Sequence, residues 1–390
     1  MPIAERMIKM VEGSSMIRKM FEEGARLKAE HGEDKVFDFS LGNPDVPPPP
    51  EIKKALAELI EDATVSHGYM PNQGYPHVRE KLSGFIRGEY GAEIPADHII
   101  MTPGAAGALN DALTALINPG EEILTPCPYF VGYNQYAFNA NAVVKTAETS
   151  EDFRLDFDNL EAAITERTRV LLINSPNNPT GVVYTAEELA RLGDMLEKAS
   201  ARFGKRIYLI SDEPYRKIVY DVEVPSIFQA YPHSLLVNSY SKELSLAGER
   251  IGYLAVNPAA EDARQVVAAA AVSNTMFYVN APSLFQLAIA RVLGVSVDVS
   301  IYRRRRDTLC KGLRSAGYEF VEPEGAFYLF PRTPIPDDVE FCRVLMEELI
   351  LAVPGSGFGR GGHFRISYAV PDRAISGSLE GFKRAIEKVK

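Results

Sequence analysis

Four short runs in the 390-residue chain, Glu122-Ile-Leu-Thr125, Val170-Leu-Leu-Ile173, Ile207-Tyr-Leu-Ile210 and Leu235-Leu-Val-Asn238, are apolar at nearly every position instead of every second one. A strand with one wet face alternates in polarity. A strand that does not alternate needs cover on both faces, as in a mostly parallel sheet with helices above and below it. The stretches around these runs have the period of such helices. Residues 51–63 place Ile52, Ala55, Leu56, Leu59 and Ile60 on one face, and residues 76–90 do so with Val78, Leu82, Phe85 and Ile86. Leu109, Leu113, Leu116 and Ile117 mark a third helix, closed by Asn118-Pro119-Gly120. Thr185, followed three residues later by Glu188, predicts a capping box for a helix over 186–199. The alternation implies an α/β fold with a mostly parallel central sheet covered by helices. After Ala290 the texture changes to a basic helix over 297–316, mixed strands with Gly and Pro turns, and a final helix from about Ser376. We expect a large α/β domain at 44–295 and a smaller α+β domain formed by 1–43 with 296–390.

Charge and composition narrow the function. The net charge is −10 with no long block of one sign, which argues against a nucleic-acid partner. Glu5 and Arg6 stand where an export signal needs apolar residues, so a cytoplasmic location is expected. The two long uncharged stretches, 123–144 and 265–290, are broken by Pro126, Pro128, Asn134, Asn274, Asn280 and Pro282, and neither suits a membrane span. Cys127, Cys310 and Cys342 are far apart without a CxxC pair, and no HExxH occurs, so no metal site is expected.

Three segments carry chemistry, each directly after an apolar run. In Ser239-Tyr-Ser-Lys242, a lysine preceded by two small hydroxyls is followed eight residues later by Arg250. An amine for an imine, with hydroxyl and guanidinium donors for a phosphate, is what a phosphate-bearing aldehyde requires. A lone lysine there would read as a surface residue. In Ser211-Asp212-Glu-Pro-Tyr215, a carboxylate could pair with a pyridine nitrogen and the phenol could donate to a ring oxygen, although a lone Asp equally caps a turn. Asn174-Ser-Pro-Asn177-Asn178-Pro179-Thr180-Gly181 is a turn that would hold an amide over the same crevice.

In this order the three segments resemble the class I/II aminotransferases, pyridoxal-phosphate enzymes of fold type I in the aspartate aminotransferase superfamily. The likeness runs from Leu41-Gly42-Asn43-Pro44 to Phe364-Arg365-Ile366-Ser367. It implies an aminotransferase that moves an amino group from an L-amino acid to a 2-oxo acid, 2-oxoglutarate being expected, by a ping-pong mechanism. Pyridoxal 5'-phosphate is the implied cofactor. Lys242 would form the Schiff base and shuttle the proton, Asp212 would hold the pyridinium, and Tyr215 and Asn178 would bind the phenolic oxygen. Gly104, Ala105 and Ala106, at a helix start suited to an anion, would join Ser239 and Arg250 around the phosphate. Tyr129 would stack on the cofactor ring. Arg365 would grip the substrate α-carboxylate beside Gly42 and Asn178; by itself it is one position in an alternating strand and could equally face solvent. Tyr69 would reach the phosphate of a partner subunit, implying a homodimer with shared active sites.

The same machinery serves C–S β-lyases, which stay an alternative. In the family, one aspartate-specific subgroup uses a partner-subunit arginine downstream of the lysine, and another uses a lysine in the phosphate loop. Here 272–279 has no arginine and the loop position holds Ala106, so strict aspartate specificity is not expected unless Ser14, Ser15 or Arg18 of the N-terminal arm meets a distal carboxylate. Gly357-Phe-Gly359-Arg-Gly361-Gly362 fits GxGxxG in letters only, because a strand instead of a helix is expected after it. Arg303 to Arg306 reads as a solvated helix face.

Overall fold

The computed structural model describes residues 3–5, 7–8 and 16–389. Ser14 and Ser15 lie outside the described residues, as does the side chain of Arg18. In chain order the strands are β1 (Phe37–Asp38), β2 (Ile99–Thr102), β3 (Glu122–Cys127), β4 (Val143–Glu148), β5 (Thr168–Asn174) and β6 (Tyr208–Asp212). They continue as β7 (Ser234–Ser239), β8 (Gly252–Val256), β9 (Tyr328–Leu329), β10 (Ile350–Leu351), β11 (Val353–Pro354) and β12 (Phe364–Ser367).

Seven of them form the main sheet in the order β2-β8-β7-β6-β5-β3-β4. The run from β7 to β4 is parallel, and β8 is antiparallel to both of its neighbours. Successive side chains go to opposite cores, which is why the strands read as continuously apolar. Leu171, Ile173, Leu209 and Leu236 pack with the helices Pro50–Glu61, Pro76–Tyr90 and Ala186–Phe203. Val170, Leu172, Ile210 and Val237 pack with Gly104–Leu116, Tyr133–Asn139 and Ala263–Phe277. The capping box is present, with Thr185 Oγ1 accepting from the Glu188 amide at 3.1 Å and Glu188 Oε2 accepting from the Thr185 amide at 2.8 Å. That helix continues to Phe203, beyond the expected 199, and stops at Gly204, whose φ of 59° closes it with a left-handed residue.

A second core joins Phe39 and Val46 to Leu309, Phe327, Phe341, Phe364 and Phe382. Tyr215, Ile218 and Tyr220, from the turn after β6, enter this same core, so it abuts the carboxyl edge of the main sheet. Two small sheets serve it, β1 beside β10 in parallel and β11-β12-β9 in antiparallel order. The last helix is Asp372–Val389, starting ahead of Ser376 because Pro371 precedes it and Asp372 places an anion in its first turn. The GxGxxG stretch begins at the end of a short 3₁₀ turn, Gly355–Phe358, and leads into β12 instead of a helix. The four arginines separate as expected of one helix turn. Arg303 pairs with Asp221 and Arg304 with Asp372, but Arg305, buried between Asp45 and Asp372, and Arg306, its side chain 11% exposed and lying over the Tyr220 ring, depart from the solvated-face expectation. Among the described residues no helix is long and apolar enough to cross a membrane, and no cluster of His, Cys, Asp and Glu could hold a metal ion.

Candidate active site

Parallel strands deliver their last residues to one edge, and here β5, β6 and β7 end at Asn174, Asp212 and Ser239. A cleft of about 260 Å³ opens at that edge. Gly42, Ala105, Ala106, Asn178, Asp212, Tyr215, Ser239, Lys242, Arg250 and Arg365 all line it. A roomier surface depression of about 610 Å³, between residues 183–190 and 222–230, contains none of them.

Lys242 Nζ donates to the Gly42 carbonyl at 2.7 Å and sits 5.6 Å from the Phe327 ring centroid. Burial depresses its pKa to about 8, with the positive charges of Arg365 and Arg250 adding to the effect. Asp212 is buried, and burial raises its pKa to about 7. Its Oδ2 accepts from Tyr133 Oη at 2.8 Å, while Oδ1 is buried without a hydrogen-bond partner. The turn after β5 is tied to β6, because Asn174 Nδ2 donates to the Asp212 carbonyl at 2.7 Å and Asn174 Oδ1 accepts from the Asn178 amide at 2.7 Å. Tyr215 Oη and Tyr328 Oη are 2.9 Å apart, and burial holds the Tyr215 phenol well above its ordinary pKa.

Arg365 is fully buried, its guanidinium carbon 4.7 Å from the centroids of both Tyr328 and Phe358. Nη1 donates to Asn178 Oδ1 at 3.1 Å and Nη2 to the Ser40 carbonyl at 2.5 Å, while Nε has no partner. A buried guanidinium whose only acceptors are neutral is poised for an anion. Because Asn178 Oδ1 is engaged, its Nδ2 is left to donate. At the other end of the cleft Gly104 opens the helix Gly104–Leu116 with φ 73°, and a Cβ there would lie 2.7 Å from Arg250 Nη2. The first amides of that helix have no intrahelical acceptor.

Three expected residues do not line the cleft of this chain. Gly104 borders the cleft without lining it. Tyr69 is 93% exposed and away from the cleft of its own chain. Tyr129 is not on the wall. Its amide donates to the Phe358 carbonyl at 3.1 Å, and its ring stacks on Tyr133 with centroids 6.4 Å apart. Phe130 takes the wall position instead. The sequence reading also missed Tyr133, Tyr136 and Tyr328. Tyr133 and Tyr328 read as core residues, and no spacing in the sequence marks either as part of the site.

The donor set suits pyridoxal phosphate. The amine of Lys242 would meet its aldehyde, and helix amides, Ser239 and Arg250 would hold its phosphate. Asn178 and Tyr215 suit its phenolic oxygen, and the unpartnered Asp212 Oδ1 suits a ring N–H.

The family model for aminotransferase class I and II matches residues 34–378. The aspartate aminotransferase of Thermotoga maritima is 33% identical, with 96% of each chain covered. The aspartate/prephenate aminotransferase of Thermus thermophilus is 34% identical over 89% of this chain and 90% of that one. Among solved structures, an aminotransferase from Eubacterium rectale superposes with a TM-score of 0.96 at 39% identity, covering 100% of this chain and 99% of that one.

Proposed function

The chain belongs to the class I and II aminotransferases, which use pyridoxal phosphate, and from that premise we propose how its own residues divide the work of moving an amino group from an L-amino acid to a 2-oxo acid. The observation that carries the assignment is the meeting, in one cleft, of an amine with a depressed pKa and a buried carboxylate with one free oxygen. When bound, pyridoxal phosphate supplies an electron sink for charge left on the substrate Cα. Asp212 Oδ1, without a protein partner, would accept the ring N–H and keep that proton in place. Lys242 Nζ, half neutral near pH 8 and more so above it, takes the proton from Cα and returns it elsewhere, its covalent tether keeping it in reach. Arg365, its guanidinium held against the rings of Tyr328 and Phe358, fixes the α-carboxylate. Ser239, Arg250 and the helix amides anchor the phosphate, and Tyr215 and Asn178 hold the phenolic oxygen. The relatives described above are all aminotransferases, which disfavours the C–S lyase alternative.

The donor we favour has an uncharged side chain. Among the described residues the cations lining the cleft are Lys242, Arg250 and Arg365, each with a task, and the remaining wall includes Leu41, Ala105, Ala106, Leu109, Phe130 and Pro214. A homodimer is part of the same reading. Exposed Val272, Met276, Phe277 and Val279 lie on a segment tied to the Tyr69 region, Asn280 Nδ2 donating to the Pro71 carbonyl at 3.2 Å. Covering that apolar surface with a second copy brings Tyr69 toward the partner's site. We place the enzyme in the cytoplasm, and we propose the domain division at 44–295 against 1–43 with 296–390 on the second core, most of whose residues come from 296–390 while Val46, Tyr215, Ile218 and Tyr220 join it from the larger domain.

The test is a visible absorbance titration of the purified holoenzyme with single amino acids and no oxo acid. Replacement of the bound pyridoxal phosphate band by that of pyridoxamine phosphate is expected, most effectively for an uncharged donor. Ammonia release with the band retained would overturn the assignment in favour of elimination.

A further inference from the structure

Asp212 does not stand alone behind the cleft. Its Oδ2 is occupied by the hydroxyl of Tyr133, the first residue of the helix Tyr133–Asn139, at 2.8 Å, and its Oδ1 is left without a partner. Tyr133 is almost wholly buried and held on two sides, stacked by Tyr129 and met edge-on by Phe130 at 5.6 Å. Its phenol can only donate to a carboxylate, and burial makes its own ionisation harder still. The hydroxyl is therefore a fixed donor aimed at one of the two carboxylate oxygens.

We propose that Tyr133 is a positioning residue that holds Asp212 in its ionised form and turns Oδ1 toward the cofactor, so that one carboxylate serves a protein hydroxyl on one oxygen and the ring N–H on the other. Two opposing forces act on that carboxylate. Burial favours its neutral form, and the Tyr133 hydrogen bond favours the charged one. A neutral Asp212 would present Oδ1 as a carbonyl or a hydroxyl, a weaker acceptor for a cationic N–H than a carboxylate. The other titratable or charged groups facing Asp212 are Tyr136 from the same helix, Glu213 and Tyr215 from its own turn, and Lys242 and Arg250 across the cleft. Tyr133 is the one joined to its side chain by a hydrogen bond. The inference rests on the role given above to Asp212, and the experiment separates the two.

Tyr133→Phe keeps the ring that packs against Tyr129 and Phe130 and removes only the donor. The first readout is infrared titration of the Asp212 carboxyl in the cofactor-free protein, assigned by its disappearance in Asp212→Asn. The Tyr133→Phe midpoint is expected to rise by at least about one pH unit, equivalent to about 1.4 kcal/mol. Site-specific 3-fluorotyrosine at position 133, a more acidic phenol and a stronger donor, is expected to move it down. The second readout is pyridoxal phosphate affinity, expected to fall roughly tenfold in Tyr133→Phe at pH 8, with a smaller difference where Asp212 is protonated in both proteins. Midpoints that stay put in both the phenyl and fluorophenol proteins would reduce Tyr133 to packing and overturn the inference. If Asp212→Asn binds and protonates the cofactor as the native protein does, the role of Asp212 itself fails instead.

Discussion

Replacing Arg365 by lysine tests the substrate reading where the geometry is most demanding. The guanidinium has five N–H donors, of which Asn178 Oδ1 and the Ser40 carbonyl use one each. A two-pronged contact with a carboxylate is therefore available without breaking either bond. Lysine keeps the charge but offers a single point of attachment, and its ammonium cannot lie flat between Tyr328 and Phe358 as the guanidinium does. Losing one charge-assisted hydrogen bond costs about 1.5–3 kcal/mol, which corresponds to roughly a 10- to 150-fold fall in kcat/KM. The contact exists before and during proton removal, so the fall should appear chiefly as a higher KM. The assay is the first half reaction on the holoenzyme, followed by cofactor absorbance, with an amino acid and with the corresponding amine that lacks the α-carboxylate. The amino acid should suffer the full loss and the amine none. An equal loss on both would mean that Arg365 supports the site without touching the carboxylate, and the assignment of its role would be refuted.

Three other outcomes follow from the geometry. A Cβ on Gly42 would lie 1.8 Å from Tyr328 Oη, so Gly42→Ala should lower kcat/KM by an amount comparable to about 1–3 kcal/mol of overpacking. Part of that loss should return in a Tyr328→Phe background, and simple additivity of the two changes would show that they do not collide. Asp111, buried beside Ser273 and pushed up to about 7, keeps its proton in the folded chain where the unfolded chain has lost it, so it lowers stability as pH rises from about 4 to about 7. Asp111→Asn should raise the melting temperature of the cofactor-free protein at pH 8 and leave it unchanged near pH 4; an equal gain at both values would point to packing instead. Finally, Lys242→Ala and Tyr69→Ala proteins, each impaired alone, should regain activity when dissociated and mixed, because a mixed dimer unites Lys242 of one chain with Tyr69 of the other. Absence of recovery, with mixed dimers demonstrated by mass spectrometry, would exclude the shared site.

What could be read from the sequence, and what could not, divides along the reach of each interaction. Asn178, Tyr215 and Lys242 stand three or four residues beyond the ends of β5, β6 and β7, so an apolar run and the short segment after it suffice to bring them to one edge. The helices were legible for a similar reason: apolar spacing and the Thr185–Glu188 cap are local, as is the left-handed Gly204 at which the capped helix stops after Phe203. Tyr129 and Phe130 could not be sorted in this way, since the loop after β3 has no period to separate neighbouring rings. The choice is made by a distant segment. Tyr129 is tied to the Phe358 carbonyl, and a Cβ on Gly359 would lie 3.1 Å from its ring, so Phe130 is left to the cleft. Tyr328 reaches Tyr215 and Gly42 from a two-residue strand of the second core. Tyr133 looks like core from every local clue, and its hydroxyl matters only because β6 ends beside it. The groups that perform the chemistry come from strand ends and announce themselves locally, whereas the groups that set their charge and orientation arrive from elsewhere in the chain. In a site of this construction, a buried tyrosine whose hydroxyl meets a strand-end side chain is therefore the place to look for control of the reaction, and no spacing rule would have found it.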